Sequence, residues 1–447
     1  MNQDSISFDL GCNFDYKLFD FIDQYDKKHA ITSFFGKLKH DGLPGGRTAS
    51  IIPDFTMDQL ADYVKECQKR DITFNYLINP LSMDQNELDP VMGKKIRTFI
   101  HTMYDMGIKA FTLNSPILIK YVKREFKDAF VTLGLYAYPT TIQHIEYWRN
   151  WGVDEITLDH GFNRRFDLLR QLLTQYKDTD LHLRVIANNL CLRECPFRLA
   201  HGCFVGHSDP DKYSMDYSLI NCAYKKVTHP AAILTAEFIR PEDVHYYREL
   251  AEETGNKHFS IKLIDRTRTT DFLHNVVKGY MEESYNGNLL DIVNWPRAKT
   301  IVTRPDQAGA EDAPAGAPAG APVGAGGPPA GMPAGGPPPG VPAMRWMEYL
   351  KPEAMMNYGR TMHLPKLFVD NKKLDGFVEH FININNCATS LCVNDILEDG
   401  ETAPNACAHC STWAKKVISY DEAEVAQWKE LCASVLQNIE DGAIFKD

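Results

Sequence analysis

Residues 109–138 read KAFTLNSPILIKYVKREFKDAFVTLGLYAY, and this stretch decides the fold. A short apolar run, AFTL, is followed by an amphipathic segment, ILIKYVKREF, and then by a second apolar run, FVTL. Apolar runs that alternate with helical patterns are typical of parallel strands joined by crossover helices. The stretch therefore predicts a strand, a helix and the next strand of one parallel sheet.

The same alternation extends in both directions from this stretch. Strand-like runs occupy residues 5–11, 31–35, 72–79, 109–115, 130–138, 155–161, 181–189, 231–239 and 258–265. Repeated βα units of this length are what an eight-stranded barrel requires, since each parallel strand needs a crossover connection. The sequence predicts an α/β protein with a TIM-like (β/α)8 barrel, and an open doubly wound sheet is the alternative.

The composition changes after the last of these units. Residues 307–343 contain ten Pro, ten Gly and eleven Ala, a mixture that neither buries a core nor holds a regular helix or strand. We interpret this segment as a flexible linker. The chain is thus predicted to divide into a barrel at residues 1–300, a linker at 301–343 and a small cysteine-rich C-terminal domain at 344–447.

The charge balance and the apolar pattern exclude some classes of protein. The chain has 48 Lys and Arg residues against 59 Asp and Glu residues, and this net charge of −11 disfavours general nucleic-acid binding. No run is apolar enough to span a membrane, and the first ten residues, MNQDSISFDL, lack the features of an export signal. We expect a soluble cytoplasmic protein that acts on a small molecule or a modified macromolecule.

The cysteines are the most informative residues, because a cytoplasmic chain keeps its thiols reduced and available for metal binding or catalysis. Four of the eleven lie close together in the sequence: Cys191, Cys195, Cys203 and Cys222. Four thiolates after a late barrel strand predict a metal site. A 4Fe-4S cluster is favoured over a tetrahedral Zn because only the first pair is tightly spaced. Four buried cysteines without a metal are the alternative.

A second group of four cysteines lies in the C-terminal part: Cys387, Cys392, Cys407 and Cys410. Its spacing, C-x4-C followed later by C-x2-C, is compatible with a second 4Fe-4S cluster or with Zn, and a metal-free group is again the alternative. Two cluster sites in one chain would suggest electron transfer between the two parts. The remaining cysteines are predicted to lie in the core: Cys12, Cys67 and Cys432.

Polar residues at the ends of strands are candidate substrate contacts, because the C-terminal ends of barrel strands surround the active site. Asp159 and His160 follow one strand and could form an acid–base pair; a helix-capping Asp and a surface His are the alternative. Glu237 is a lone carboxylate in an apolar run, which costs free energy unless it is paired or faces a polar cavity. We predict a catalytic role for all three.

Charged residues also follow the last predicted strand, at Asp265, Arg266 and Arg268. Two guanidinium groups beside a carboxylate could bind a dianionic substrate, and a structural salt bridge is the alternative. The glycine-rich segment GKLKHDGLPGGR at residues 36–47 is predicted to form a lid over the barrel mouth. A phosphate-binding loop is disfavoured there because no helix pattern follows the glycines.

These residues carry a resemblance to a known family. NLCLREC (189–195), Cys203 and Cys222, followed by IKLIDRTRTTDFLHNVVKGYMEESYNGNLLDIVN (261–294) and a cysteine-bearing C-terminal part, resemble the collagenase-like peptidase U32 family. The resemblance implies a barrel that carries a 4Fe-4S cluster on the four cysteines of the first group. It also implies oxygen-independent hydroxylation of an aromatic ring, such as a quinone precursor or an RNA base, with prephenate as the oxygen donor.

Three functional hypotheses follow. The favoured one is an iron-sulfur oxidoreductase or hydroxylase of the U32 type that works under low oxygen. A U32-type peptidase is the second, although the sequence has no HExxH zinc helix, no G-x-S-x-G elbow and no cysteine with an evident histidine partner outside the two groups. The third is a non-catalytic electron carrier or scaffold that docks on an electron donor or a partner subunit.

Overall fold

A computed structural model describes residues 6–211, 215–295, 349–383 and 407–446. Eight parallel strands form a closed barrel in chain order, and the eighth strand pairs with the first. The strands are β1 (Ser7–Gly11), β2 (Ile31–Gly36), β3 (Thr73–Ile78), β4 (Ala110–Leu113), β5 (Phe130–Leu133), β6 (Glu155–Thr157), β7 (His182–Ile186) and β8 (Phe259–Leu263). The prediction of a (β/α)8 barrel is confirmed, and the open sheet is excluded.

Helices cover the outside of the barrel. In chain order they are α1 (Lys17–Tyr25), α2 (Met57–Gln68), α3 (Met92–Asp105), α4 (Pro116–Glu125), α5 (Ile142–Asn150), α6 (Phe166–Tyr176), α7 (Arg198–Gly206), α8 (Tyr217–Thr228), α9 (Ala231–Thr235), α10 (Val244–Thr254) and α11 (Thr270–Glu282). In the stretch that opened the sequence analysis, α4 begins with Pro116 after the capping residue Ser115, whose hydroxyl accepts a bond from the Leu118 N–H. Its buried face, formed by Leu118, Ile119 and Val122, covers the barrel.

One predicted strand is wrong. Residues 231–239 form α9 and then an irregular segment, whereas the eighth barrel strand is the following apolar run, which is β8. A continuous apolar run fits a buried helix as well as a buried strand, because both are surrounded by core on every side. The Ile233 and Leu234 side chains of α9 are fully buried.

The inside of the barrel is polar and charged. On β8 the outward side chains Phe259, Ile261 and Leu263 belong to the main apolar core, while Ser260 and Lys262 point inward. The Arg184 guanidinium lies 2.8 Å from a Glu155 carboxylate oxygen and 3.4 Å from an oxygen of Asp9. Most TIM barrels fill this space with branched apolar residues, so the charged interior is a feature of this chain.

The described C-terminal residues pack against the barrel. They form α12 (Pro352–Thr361), β9 (Leu367–Val369), α13 (Glu379–Asn383), α14 (His409–Val417), β10 (Ile418–Tyr420) and α15 (Glu422–Glu440). Strands β9 and β10 pair antiparallel, α14 contacts α9, and α15 contacts α8. Arg240 donates to the Asn371 carbonyl at 2.8 Å, and the Tyr358 hydroxyl accepts from the Asp216 N–H at 2.6 Å. The C-terminal part therefore shares one apolar core with the barrel.

The predicted domain boundaries at 300 and 343 stay predictions, and the predicted linker lies outside the described residues. Within the described part of the chain, no helix is both long enough and apolar enough to cross a membrane.

Candidate functional site

A cavity of about 190 Å³ opens at the C-terminal end of the barrel strands. Its wall combines aromatic rings, cations and thiols, and it includes Tyr136, Lys226, Lys262, Cys191 and Trp295. Barrel enzymes carry their active sites at this end, where the loops that follow the strands converge. We take this cavity, called the mouth cavity below, as the candidate functional site.

An ion pair and a second guanidinium form one side of the mouth cavity. Arg47 Nε donates to Asp265 Oδ2 at 2.7 Å, so the glycine-rich segment 36–47 does reach the barrel mouth. Burial opposes ionisation of Asp265, but Arg47, Arg268 and Arg266 together lower the pKa of its carboxyl to about 2. Asp265 is therefore a fixed negative charge that holds Arg47 in place.

Arg266 lies beside this pair and is not neutralised by it. The residue is 4% exposed, and its Nε and Nη2 atoms have no hydrogen-bond partner among the described residues. Burial, with the Arg47 charge, lowers the pKa of Arg266 to about 10, still far above neutral pH. A buried cation without a partner is costly, and a negatively charged ligand in the cavity would relieve that cost.

Arg268, predicted to act with Arg266, points elsewhere. Its Nη2 donates to Asn294 Oδ1 at 2.5 Å, its guanidinium stacks near Phe272, and it is not among the residues that line the mouth cavity. The backbone brings Asp265 and Arg266 to the cavity and turns away before Arg268. The predicted role of Arg268 in substrate binding stays a prediction, and Arg47 is the second arginine that lines the cavity beside Arg266.

Asp159 and His160 lie just after β6 and are held by Arg198. Arg198 Nη1 donates to Asp159 Oδ2 at 2.8 Å, and Arg198 Nη2 donates to His160 Nε2 at 3.0 Å. Burial lowers the pKa of His160 to about 4, with Arg198 and Lys226 acting in the same direction and Asp159 against them. His160 lines the cavity as a neutral imidazole, whereas Asp159 caps the short helix 160–162 through the Gly161 N–H.

Glu237 is buried outside the mouth cavity. It follows α9 in the irregular segment, and it does not line the cavity. Burial raises the pKa of its carboxyl to about 7, against the lowering effect of Arg164 and Arg193. Arg193 Nε lies 3.8 Å from Oε1, and Oε2 has no hydrogen-bond partner within the described chain. Its catalytic role stays a prediction.

Three of the four cysteines in the first group line the mouth cavity. These are Cys191, Cys195 and Cys222, whereas Cys203 lies on α7 and is not among the residues that line the cavity. Burial raises the pKa of the Cys191 and Cys195 thiols, and the Lys226 charge lowers both. Lys226 thus favours the thiolate forms that metal binding needs. Three of the four cysteines that are close together in the sequence therefore also line one cavity.

The second cysteine group is described only in part. Cys387 and Cys392 lie outside the described residues. Cys407 is half-buried, and the Cys410 thiol contacts the Leu234 carbonyl at 3.7 Å, on the surface where α14 meets α9. Among the residues that the structure describes, no three His, Cys, Asp or Glu side chains converge closely enough to hold a single metal ion.

Two lysines of the mouth cavity were not predicted from the sequence. Lys226 comes from α8, and its ammonium donates to the Leu190 carbonyl. Lys262 comes from the middle of β8, where its Nζ lies 3.8 Å from the centre of the Phe35 ring. A lone lysine inside an apolar strand, IKL, was the available signal for Lys262. No sequence signal distinguishes Lys226 from its neighbour Lys225 in helix α8.

Comparisons with known proteins were made for the whole chain. No protein-family model matches it. The protein named "Uncharacterized protease MJ1657" of Methanocaldococcus jannaschii is 25% identical over 273 residues, which is 61% of this chain and 77% of that protein. Among solved structures, "The Structure of the U32 Peptidase Mk0906" matches with a TM-score of 0.42 and 13% identity, covering 58% of this chain and 93% of that chain.

The similarity to a protein named as a protease agrees with the resemblance of the cysteine motif to the U32 peptidase family.

Proposed function

We propose that the chain is an enzyme that binds a small anionic substrate in the mouth cavity, beside an iron-sulfur cluster held by the first cysteine group. The observation that carries the proposal is Arg266, a buried guanidinium on the cavity wall whose Nε and Nη2 atoms have no partner among the described residues. A carboxylate is the group that a guanidinium binds best, through paired hydrogen bonds.

The cysteines present are compatible with a cluster and less so with a single zinc ion. Cys191, Cys195 and Cys222 line one cavity, but no set of ligands in the described residues is compact enough for one ion. A cluster occupies the space between its thiolates, so its ligands lie farther apart than those of a single ion. Cys203, on α7, would be the fourth ligand. When bound, a cluster would supply electrons or an iron site open to substrate.

The remaining cavity residues supply binding and orientation. Arg266 and Arg47 would hold the carboxylates of the substrate, and Asp265 fixes Arg47. The rings of Tyr136 and Trp295 offer flat surfaces for an aromatic group. Neutral His160, oriented by Arg198, offers its Nδ1 atom, which has no partner among the described residues. This lining suits hydroxylation or related redox chemistry on an aromatic acid.

A peptidase is the second candidate, and it rests on the printed names of the relatives and on one contact. His201 lines the mouth cavity with Cys195 and Cys222, and its Nδ1 lies 2.7 Å from a carboxylate oxygen of buried Asp216. A thiol, an imidazole and a carboxylate are the residue types of a cysteine peptidase. The raised pKa of Cys195 works against a nucleophilic thiolate at that position.

One preparation tests both candidates. Protein purified without oxygen should contain about four iron atoms per chain, or about eight if the second group also binds a cluster, with matching sulfide and visible absorption. Cys191→Ser and Cys222→Ser should remove about four of them, whereas Cys432→Ala, in α15, should retain all. Colourless wild-type protein that cleaves casein, and loses that activity in His201→Ala, would establish the peptidase instead.

A further inference from the structure

We propose that Lys262 is a nucleophile that forms an imine with the carbonyl group of a small oxo acid bound in the mouth cavity. The inference deepens the proposed function and rests on it for the anionic character of the substrate. It adds a covalent attachment point that does not depend on the cysteines.

Lys262 lies on β8 with its side chain directed into the barrel. Its two sequence neighbours, Ile261 and Leu263, face the helices and are completely buried in the main core. Lys262 therefore points into the barrel, and it lines the mouth cavity although the residue as a whole is only 7% exposed. A substrate in the cavity can reach its amine, whereas bulk solvent reaches little of it.

The contacts of the amine distinguish Lys262 from other buried lysines of the described chain. Lys226 donates to the Leu190 carbonyl, and Lys37 is paired with Asp41. Among the described residues, the Lys262 amine has neither a hydrogen-bond acceptor nor a carboxylate within ion-pair distance, and its near neighbour is the Phe35 ring at 3.8 Å. Its lone pair is not engaged by the protein around it.

The charges around Lys262 favour an uncharged amine. Burial lowers its pKa well below the ordinary lysine value, and the Arg184 and Arg266 charges lower it further, while Asp9 and Glu155 act in the opposite direction. Burial also raises the pKa of Glu155, the carboxylate that shares the barrel interior. A proton that passes from Lys262 to Glu155 leaves both groups uncharged, and Arg184 and Asp9 still balance each other.

Arg266, which lines the same cavity as Lys262, defines the class of substrate. A carboxylate attracted by its guanidinium charge would bring an adjacent carbonyl group towards the lysine. The ligand with both groups in the smallest space is a 2-oxo acid. A lysine desolvated beside other cations is a known arrangement for attack on such carbonyls.

The proposed step is balanced and needs no oxidant or reductant. The amine lone pair adds to the carbonyl carbon, and the C=O π electrons move to oxygen, which takes up a proton. The nitrogen then loses a proton, water leaves, and a C=N bond joins Lys262 to the former carbonyl carbon. The sum is one amine and one carbonyl giving one imine and one water.

Reductive trapping tests the proposal. Wild-type protein incubated with pyruvate and sodium cyanoborohydride should gain one carboxyethyl group, and peptide mapping should place it on Lys262. Lys262→Met should reduce this labelling at least tenfold. Lys278→Met is the matched control, because the Lys278 amine also lies over an aromatic ring, Tyr25, but on the exposed surface of α11. Labelling in that variant should equal the wild type.

Peptide mapping of the wild type does not depend on the folding of any variant. Labelling spread evenly over surface lysines, or labelling that is unchanged in Lys262→Met, would overturn the imine. Pyruvate binding measured by calorimetry without the reductant separates the two proposals. Binding that occurs without labelling rejects the imine and keeps the anion site, whereas the absence of both rejects the imine and the anion site together.

Discussion

One group of buried charged residues lies inside the barrel, and another lies at its mouth. The two groups differ in how their polar atoms are paired. In the barrel interior, Arg184 contacts Glu155 and Asp9 and donates through Nε and Nη2 to Thr157 Oγ1. At the mouth, Arg266 keeps two nitrogen atoms without a partner among the described residues. Arg184 makes its ion pairs and hydrogen bonds within the protein and so stabilises the barrel, whereas two nitrogen atoms of Arg266 are left without a partner among the described residues.

Breaking the interior set should have the largest effect. Arg184→Met removes the cation and leaves two carboxylates, Glu155 and Asp9, in the barrel centre. We expect a loss of about 3–5 kcal/mol in the free energy of unfolding, because removing one partner of a buried pair leaves the other charge uncompensated. Urea unfolding at pH 7 measures it. Adding Glu155→Gln to the variant should recover part of the loss, and a stable single variant would contradict the comparison.

The pH dependence of stability should separate two further buried groups. The folded pKa of His160 falls from 6.5 to about 4, so its contribution is lost as the pH falls from 6.5 towards 4. The folded pKa of Glu237 rises from 4.5 to about 7, so its contribution is lost as the pH rises from 4.5 towards 7. Each contribution to the free energy of unfolding amounts to about 3 kcal/mol. In the wild type, the two opposite dependences of stability on pH should nearly cancel.

Single substitutions should expose each slope. His160→Asn should become less stable as the pH rises from 4.5 to 7, and Glu237→Gln should become more stable over the same range. Urea unfolding at intervals of half a pH unit measures both. Parallel pH profiles for the two variants would show that the groups do not titrate in opposite directions.

Changing the mouth should affect binding more than stability. Arg266→Gln removes the buried guanidinium, and we expect malonate to bind about tenfold more weakly or worse, because a charge-assisted pair is lost. The free energy of unfolding without ligand should change by less than about 1 kcal/mol, since the lost group made few bonds. Calorimetry and urea unfolding give the two values. Arg268→Gln, outside the cavity, should bind malonate like the wild type.

An exposed ion pair gives the smallest expected effect. Arg170 Nε lies 2.9 Å from a Glu253 oxygen, and both side chains are about half exposed. Arg170→Ala should change the free energy of unfolding by at most about 1 kcal/mol, because water screens the pair and competes for its bonds. Equal losses in the free energy of unfolding for Arg170→Ala and Arg184→Met, measured by urea unfolding, would contradict the comparison.

Much of the site could be predicted because strand ends carry their own signals. Polar residues that follow apolar runs pointed to His160, Asp265 and Arg266, and spacing pointed to three cavity cysteines. The position of Arg268 outside the cavity could not be predicted, because the direction of a side chain after a strand depends on the turn, which residue order does not specify. Lys226 was missed because its helix reaches the cavity through packing against the rest of the fold.

The sequence by itself determined the repeated βα units, because the apolar period of each segment sets whether it can bury one face as a helix or both faces as a strand. It also determined that thiols gather after β7. Only the tertiary structure decided that 231–239 is not a strand, and that Lys262 shares a cavity with Arg266. Closure of the barrel brings together residues far apart in the chain, and the balance of their charges depends on distances that exist only after folding.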